Sequence, residues 1–232
     1  MTTQTMHPSA GTATTTTSTA PTSPPTPAAD PRPQFGAAML IAAPVISGVR
    51  ADQLDLPSPC VELDVKGLLD HLVFVQRRVA RLCRGEEAFA PGSLGDGPAE
   101  RSDWATAWSA GMGDVALSMA DDSVLDKTIV LPWATLTGAE MLATYTAEIT
   151  AHTWDLAQAT GQCAEWCDEV CRLALAAMHR DLPMEDRTPM WEAFRATMPA
   201  DMRFDPPFAN ATAVAADAPL IDQLVAWLGR KP

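Results

Sequence analysis

The stretch AEITAHTWDLAQATG, residues 147–161, sets a carboxylate and an imidazole on the side of a helix that its apolar residues mark as inner. Winding Met141 to Ala159 at about 100° per residue puts Met141, Tyr145, Ile149, Leu156 and Ala159 on one side. Glu148 and His152 fall among them rather than opposite. They are four residues apart, so their side chains stand about 5–6 Å apart at Cβ and can converge on one point. A buried carboxylate without a partner costs several kcal/mol, through desolvation or forced protonation. Any fold of this chain has to supply that partner.

One candidate comes from another helix. In CVELDVKGLLDHLVFVQRRVARLCRG, residues 60–85, Val65, Leu68, Leu69, Leu72, Val79 and Leu82 recur at helical spacing, with Asp64 read as the N-cap and Gly85 as the stop. His71 sits at the margin of that apolar face, beside Leu68, Val75 and Leu82. Spacing alone leaves two accounts open. Glu148 and His152 are a hydrogen-bonded core pair, or two imidazoles and a carboxylate hold a divalent ion, a ligand set that suits Zn, Ni or Fe(II) and leaves positions for water or substrate.

The remaining elements are mostly helical. Residues 35–49, FGAAMLIAAPVISGV, read as a first core helix bent or interrupted at Pro44. This run is too short for a bilayer span, which needs about 20 residues. A Gly- and Pro-rich loop at 91–98 leads to a third helix, from about Glu100 to Met119. DKTIVLPWATLTG reads as an extended crossover, with a short hairpin as the alternative. Then come a helix from about Ala139 to Thr160 ended by Gly161, a fifth from about Glu165 to His179, a proline-rich connection, and a last helix IDQLVAWLG. Residues 1–34, almost entirely Thr, Ser, Pro and Ala, cannot bury enough apolar area to offset their ordering entropy and are expected to be a disordered tail. Residues 35–232 are expected to form one domain.

Charge and cysteine content narrow the partners. The formal net charge is -13, from 29 acidic against 16 basic residues, with no Lys/Arg block. Nucleic acid and membranes are therefore excluded as expected partners. Five cysteines with no compact framework and no export signal point to reduced thiols in a cytoplasm. Monomer and homodimer both stay open.

Three stretches carry a resemblance to a known family. LPSPCVELDVKGLLDHLV, AEITAHTWDLAQATGQ and LVAWLGRKP, in this order and spacing, resemble the DinB-like metal-binding proteins related to mycothiol-dependent maleylpyruvate isomerase, over about residues 35–232. The resemblance implies an all-α fold, a DinB-type four-helix bundle here extended by a C-terminal helix and a short extended crossover. It also implies a metal held by a histidine on the second helix and a Glu-x-x-x-His pair on a later one, at His71, Glu148 and His152. The implied chemistry is thiol-dependent: a low-molecular-weight thiol, mycothiol where the source makes it, attacks an electrophilic small-molecule substrate as thiolate. S-transfer and isomerisation share that first step. A hydrolase or cyclase using the same Lewis acid, and a binding module without turnover, are the alternatives.

Further residues near these positions carry secondary expectations. Asp155, one turn beyond His152, either orients a ligand imidazole or makes an interhelical or capping hydrogen bond. Arg230 either folds back to bind an anionic substrate group or is a solvated charge, the second being the ordinary state of an arginine. With Glu148, these two complete the expected catalytic set. Trp154 and Cys60 read as packing, His179 as a complement to its helix terminus, and His7 as part of the tail. Cys163, Cys167 and Cys171, at i, i+4 and i+8, read as a buried stripe of the fifth helix, with a soft-metal site as the alternative.

Overall fold

The computed structural model describes residues 30–88, 103–197 and 208–232. The expected loop at 91–98, His7 and residues 1–29 of the expected tail lie outside the described residues. Helix α1 (Arg32–Ser47) starts inside the segment assigned to the tail. Proline is well suited to a first helical turn. Arg32 adds bonds to Asp30, to Asp122 at 2.6 Å and to the Met119 carbonyl at 3.1 Å. Pro44 does not interrupt α1. The carbonyl that loses its donor belongs to Leu40, which is 63% exposed and so lies where water reaches it.

Helix α2 (Val65–Arg84) has the expected ends: the Asp64 side chain accepts from the Gly67 N–H, and Gly85 takes the left-handed conformation at φ 81°. Helix α3 (Trp104–Ser118) is capped by Asp103. A single turn, α4 (Ser123–Asp126), leads into strands β1 (Thr128–Leu131) and β2 (Ala134–Thr137). These pair antiparallel with Leu131 opposite Ala134, so the extended crossover is a hairpin closed by Pro132 and Trp133. Helix α5 (Gly138–Thr160) opens on a capping box between Thr137 and Glu140 and stops at Gly161, φ 68°.

Three helices follow. Helix α6 (Asp168–Asp181) begins three residues later than its spacing suggested. Helix α7 (Thr188–Thr197) was not foreseen, and α8 (Leu220–Trp227) closes the described chain. Arg187, fully buried, ties the start of α7 to residues 208–210 by donating to the Ala209 carbonyl (2.5 Å) and, through its backbone N–H, to Asn210 Oδ1 (2.8 Å), and it also donates to the Pro183 carbonyl (2.9 Å).

The architecture is an all-α, DinB-like bundle. Helix α1 packs on α3 and α5, and α2 packs on the same two helices, closing a ring of four. Phe35, Leu68, Leu72, Trp108, Leu142 and Ile149 fill its centre. A second layer covers the far side of α5, where Ala143, Ala147, Ala151 and Trp154 meet Ala174, Ala177, Leu224 and Leu228 of α6 and α8. The alanines recur every four residues and let α6 approach closely. Helix α5 is therefore buried on two faces, and Trp154 is packing in the second core. Among the described residues no helix is long and apolar enough to cross a membrane.

Candidate metal centre and its cavity

Helices α2 and α5 run antiparallel, which brings His71 level with Glu148 and His152. His71 Nε2 lies 2.9 Å from Glu148 Oε1 and, facing an acceptor-only carboxylate, donates to it. His152 Nε2 lies 3.8 Å from the same oxygen. The two imidazoles meet edge to face, with centroids 4.7 Å apart. One ligand atom from each of the three residues falls within 4.8 Å of the others. Donors bound at about 2.0–2.2 Å to one ion lie roughly 3–3.5 Å from each other. The observed separations bracket that range, so the donor set fits a divalent ion with little movement.

Electrostatics favour the same use. Burial works against ionisation of Glu148, but the His71 hydrogen bond and the field of His152 and Arg78 outweigh it and hold its pKa at about 2. Burial pushes the His71 imidazole below its usual range, against the pull of Glu148. An anionic carboxylate beside a neutral imidazole is the charge state a metal requires, and an ion at His71 Nε2 would take the place of the proton which that nitrogen gives to Glu148.

Behind His152 stands a second, more deeply buried set. Asp155 Oδ2 accepts from His152 Nδ1 at 3.1 Å, and the other ring nitrogen, Nε2, faces Glu148. Arg230 grips Asp155 through Nε to Oδ1 (3.2 Å) and Nη2 to Oδ2 (2.8 Å). Burial opposes the charge of Asp155, and the bonds from His152 and Arg230 keep its pKa below the usual value nonetheless. Arg230 is 6% exposed, so the reading of it as a solvated charge is corrected: the Asp155 carboxylate, itself fully buried, draws the guanidinium inside. Arg230 faces Asp155 and is not among the described residues lining the cavity.

His71, Glu148 and His152 open onto a cavity of about 490 Å³, within the size range of small-molecule sites. Among the described residues its walls come from the loop before α2, from α2, α5, the hairpin, α6 with Leu182 after it, α7 and Phe208. Trp133, Met190, Trp191 and Phe194 supply much of the apolar lining.

Sequence reasoning missed several of these contributors. Cys60 lies with His152 and Asp155 in a second group of close potential ligand atoms and also lines the cavity. Burial pushes its thiol up to about 11, so it stays protonated. It sits in a loop, where no periodicity marks it. Arg78 and Tyr145 were legible as a seven-residue step from His71 and from His152. The cysteine stripe is broken: Cys163 is exposed and precedes α6, Cys167 is its N-cap, and only Cys171 is buried within it. These three form no close ligand group among the described residues. His179 meets Trp227 edge to face, with ring centroids 4.1 Å apart.

Comparison with known proteins bears on the same region. The family model described as mycothiol maleylpyruvate isomerase N-terminal domain matches residues 35–157, a span that contains His71, Glu148, His152 and Asp155. Two curated relatives, named as uncharacterised proteins of Mycobacterium tuberculosis strains CDC 1551 / Oshkosh and H37Rv, are each 28% identical over 188 residues. The alignment covers 81% of this chain and 91% of each relative. No solved structure matches the chain significantly.

Proposed function

Because the chain belongs to the mycothiol maleylpyruvate isomerase N-terminal domain family, which is DinB-like, we propose that it is a metal-dependent enzyme using a low-molecular-weight thiol, mycothiol first among them. The reaction is S-transfer to, or isomerisation of, an electrophilic small molecule. The observation that carries this reading is the convergence of His71, Glu148 and His152 at one side of a largely apolar, substrate-sized cavity. A filled site would have favoured a binding module instead.

His71 Nε2, His152 Nε2 and a Glu148 oxygen would hold the ion, with zinc the first candidate and nickel or iron the others. Such an ion supplies Lewis acidity, which lowers the pKa of a thiol at an open coordination position. Glu148 would offset part of the cation's charge and, being a weak base, would not retain the thiol's proton, which would pass to water. Asp155 and Arg230 are proposed to act through His152, fixing the ring by which it ligates. The apolar walls would seat the carbon skeleton of the electrophile.

In the proposed step the sulfur electron pair forms a C–S bond to an electrophilic carbon of an unsaturated carbonyl compound. The displaced π pair moves to the carbonyl oxygen. Rotation about the former double bond followed by loss of the same thiolate isomerises the compound. Protonation of the adduct from water, with the C–S bond kept, is S-transfer. The proposed setting is a cytoplasm, where such thiols stay reduced.

The test is elemental analysis joined to a turnover assay. Zinc-loaded protein is given mycothiol and an unsaturated carbonyl electrophile, beside its His152→Ala variant. About one metal per chain and accelerated conversion of the electrophile, to its thiol adduct or to its isomer, both lost in the variant, are expected. Equal conversion of the electrophile with and without metal would refute the reading, and a metal-bound protein inert with several thiols would favour the hydrolase, cyclase or binder.

A further inference from the structure

Arg78 and Tyr145 make a second polar station in the cavity. Arg78 follows His71 by seven residues on α2, and Tyr145 precedes His152 by seven on α5. On antiparallel helices this sets the station along the groove from the ligands, two turns or about 10 Å of helix rise from His71 and His152 and one turn, about 5 Å, from Glu148. The Arg78 guanidinium lies over the Phe74 ring, 4.2 Å from its centroid, and Nη1 reaches the Tyr145 hydroxyl at 3.5 Å. That hydroxyl accepts from Arg78, which leaves its own proton for donation. Both side chains line the cavity.

The charge around the station limits what it can take. Among the described lining residues Arg78 is the only Lys or Arg, while Glu62, Glu148 and Asp181 are acidic. Asp181 is engaged by Arg180 at 2.7 Å and by Thr144 at 2.7 Å. One guanidinium among carboxylates suits a group with a single negative charge and disfavours a dianion. Its planar fork matches a carboxylate. Trp133 and Trp191 each stand edge to face with Phe194, at 6.3 Å, in a wall that suits a flat apolar body. Trp191 and Phe194 lie outside the matched family region of residues 35–157.

We propose that this cavity selects an organic monocarboxylate with a flat apolar body. Its carboxylate is held by Arg78 and the Tyr145 hydroxyl, its body lies on the aromatic wall, and its far end faces His71, Glu148 and His152. Only the identity of the far end as the reacting end rests on the proposed thiol chemistry. The anion station stands apart from it.

The probes are 4-phenylbutyrate and its neutral counterpart 4-phenyl-1-butanol, titrated by calorimetry into the full chain, metal-loaded and chelated. The acid is expected to bind about tenfold tighter than the alcohol or better, as a charge-assisted hydrogen bond allows. Arg78→Met should erase that preference and leave alcohol binding unchanged, Arg78→Lys should keep part of it, and Tyr145→Phe should reduce it severalfold. Circular dichroism melts check that each variant folds. His152→Ala and chelation should leave the preference intact, which separates this proposal from the metal reading. Equal binding of acid and alcohol, binding of neither, or a preference that survives Arg78→Met would overturn it. So would a preference seen only with metal and lost in His152→Ala, since the carboxylate would then be binding at the metal centre.

Discussion

Arg230 and Asp155 meet side-on across 75 residues of sequence, with two bonds of 3.2 and 2.8 Å and almost no contact with solvent. Removing one partner of a buried pair leaves the other charge uncompensated, which costs about 3–5 kcal/mol. Arg230→Met is therefore expected to lower the urea midpoint sharply. The double variant Arg230→Met/Asp155→Asn should lose much less than the sum of the two single variants. Additive losses would mean that the two groups do not act as a pair.

If an ion is what makes two imidazoles and a carboxylate tolerable between α2 and α5, a chelator should lower the melting temperature of protein purified with metal. Binding only to the folded state contributes about 2.7 kcal/mol when ligand is at a hundred times its dissociation constant. His71→Ala and His152→Ala, from different helices, should each abolish bound metal. Glu148→Gln keeps the shape and loses the charge, so it should weaken metal binding more than it lowers the melting temperature of the metal-free protein. Undiminished stability and turnover without metal would reduce the three to a hydrogen-bonded core cluster.

The three cysteines around the start of α6 should behave unequally. Cys171 is fully buried among the second core residues, so Cys171→Ala leaves a small void worth about 1 kcal/mol. Cys163 is exposed, and Cys163→Ala should stay within about 0.5 kcal/mol of the parent. Bound metal should be retained in both, as elemental analysis would report. Loss of metal with an intact fold would revive the soft-metal reading.

Arg187 offers a separate check on the cavity wall. Arg187→Met takes the donors from two inward carbonyls, at a cost of about 2–3 kcal/mol. The loss should be felt at α7, as faster proteolysis near residues 188–197, while metal content stays constant. Protection of α7 unchanged from the parent would show that it docks without this anchor.

Local chemistry made much of this arrangement legible in the sequence. Asp64, Gly85 and Gly161 mark helix ends through their own backbone preferences, and His71, Glu148 and His152 betray their shared side by a 3.6-residue period. What was not legible depends on partners distant in sequence. Arg230 has no period to betray it and is drawn inside by a carboxylate on another helix. Helix α7 is short and starts at Thr188–Pro189, directly after a run that reads as a loop, and its Met190, Trp191 and Phe194 pattern is too brief to outweigh that. The cysteine stripe misled because the spacing fits a helix that in fact begins later, with Cys167 as its cap.

Helix α5 carries the ligands and is shared by two cores, and this sets how the molecule opens. Amide protons in a helix with one solvated flank exchange with water through small local fluctuations. Those between Met141 and Ala157 of α5 have cover on both sides, so they exchange only when the bundle and the α6–α8 layer part together. In deuterium labelling these amides should be the slowest in the chain, with α3, which leaves Leu117 80% exposed, taking up label well before them.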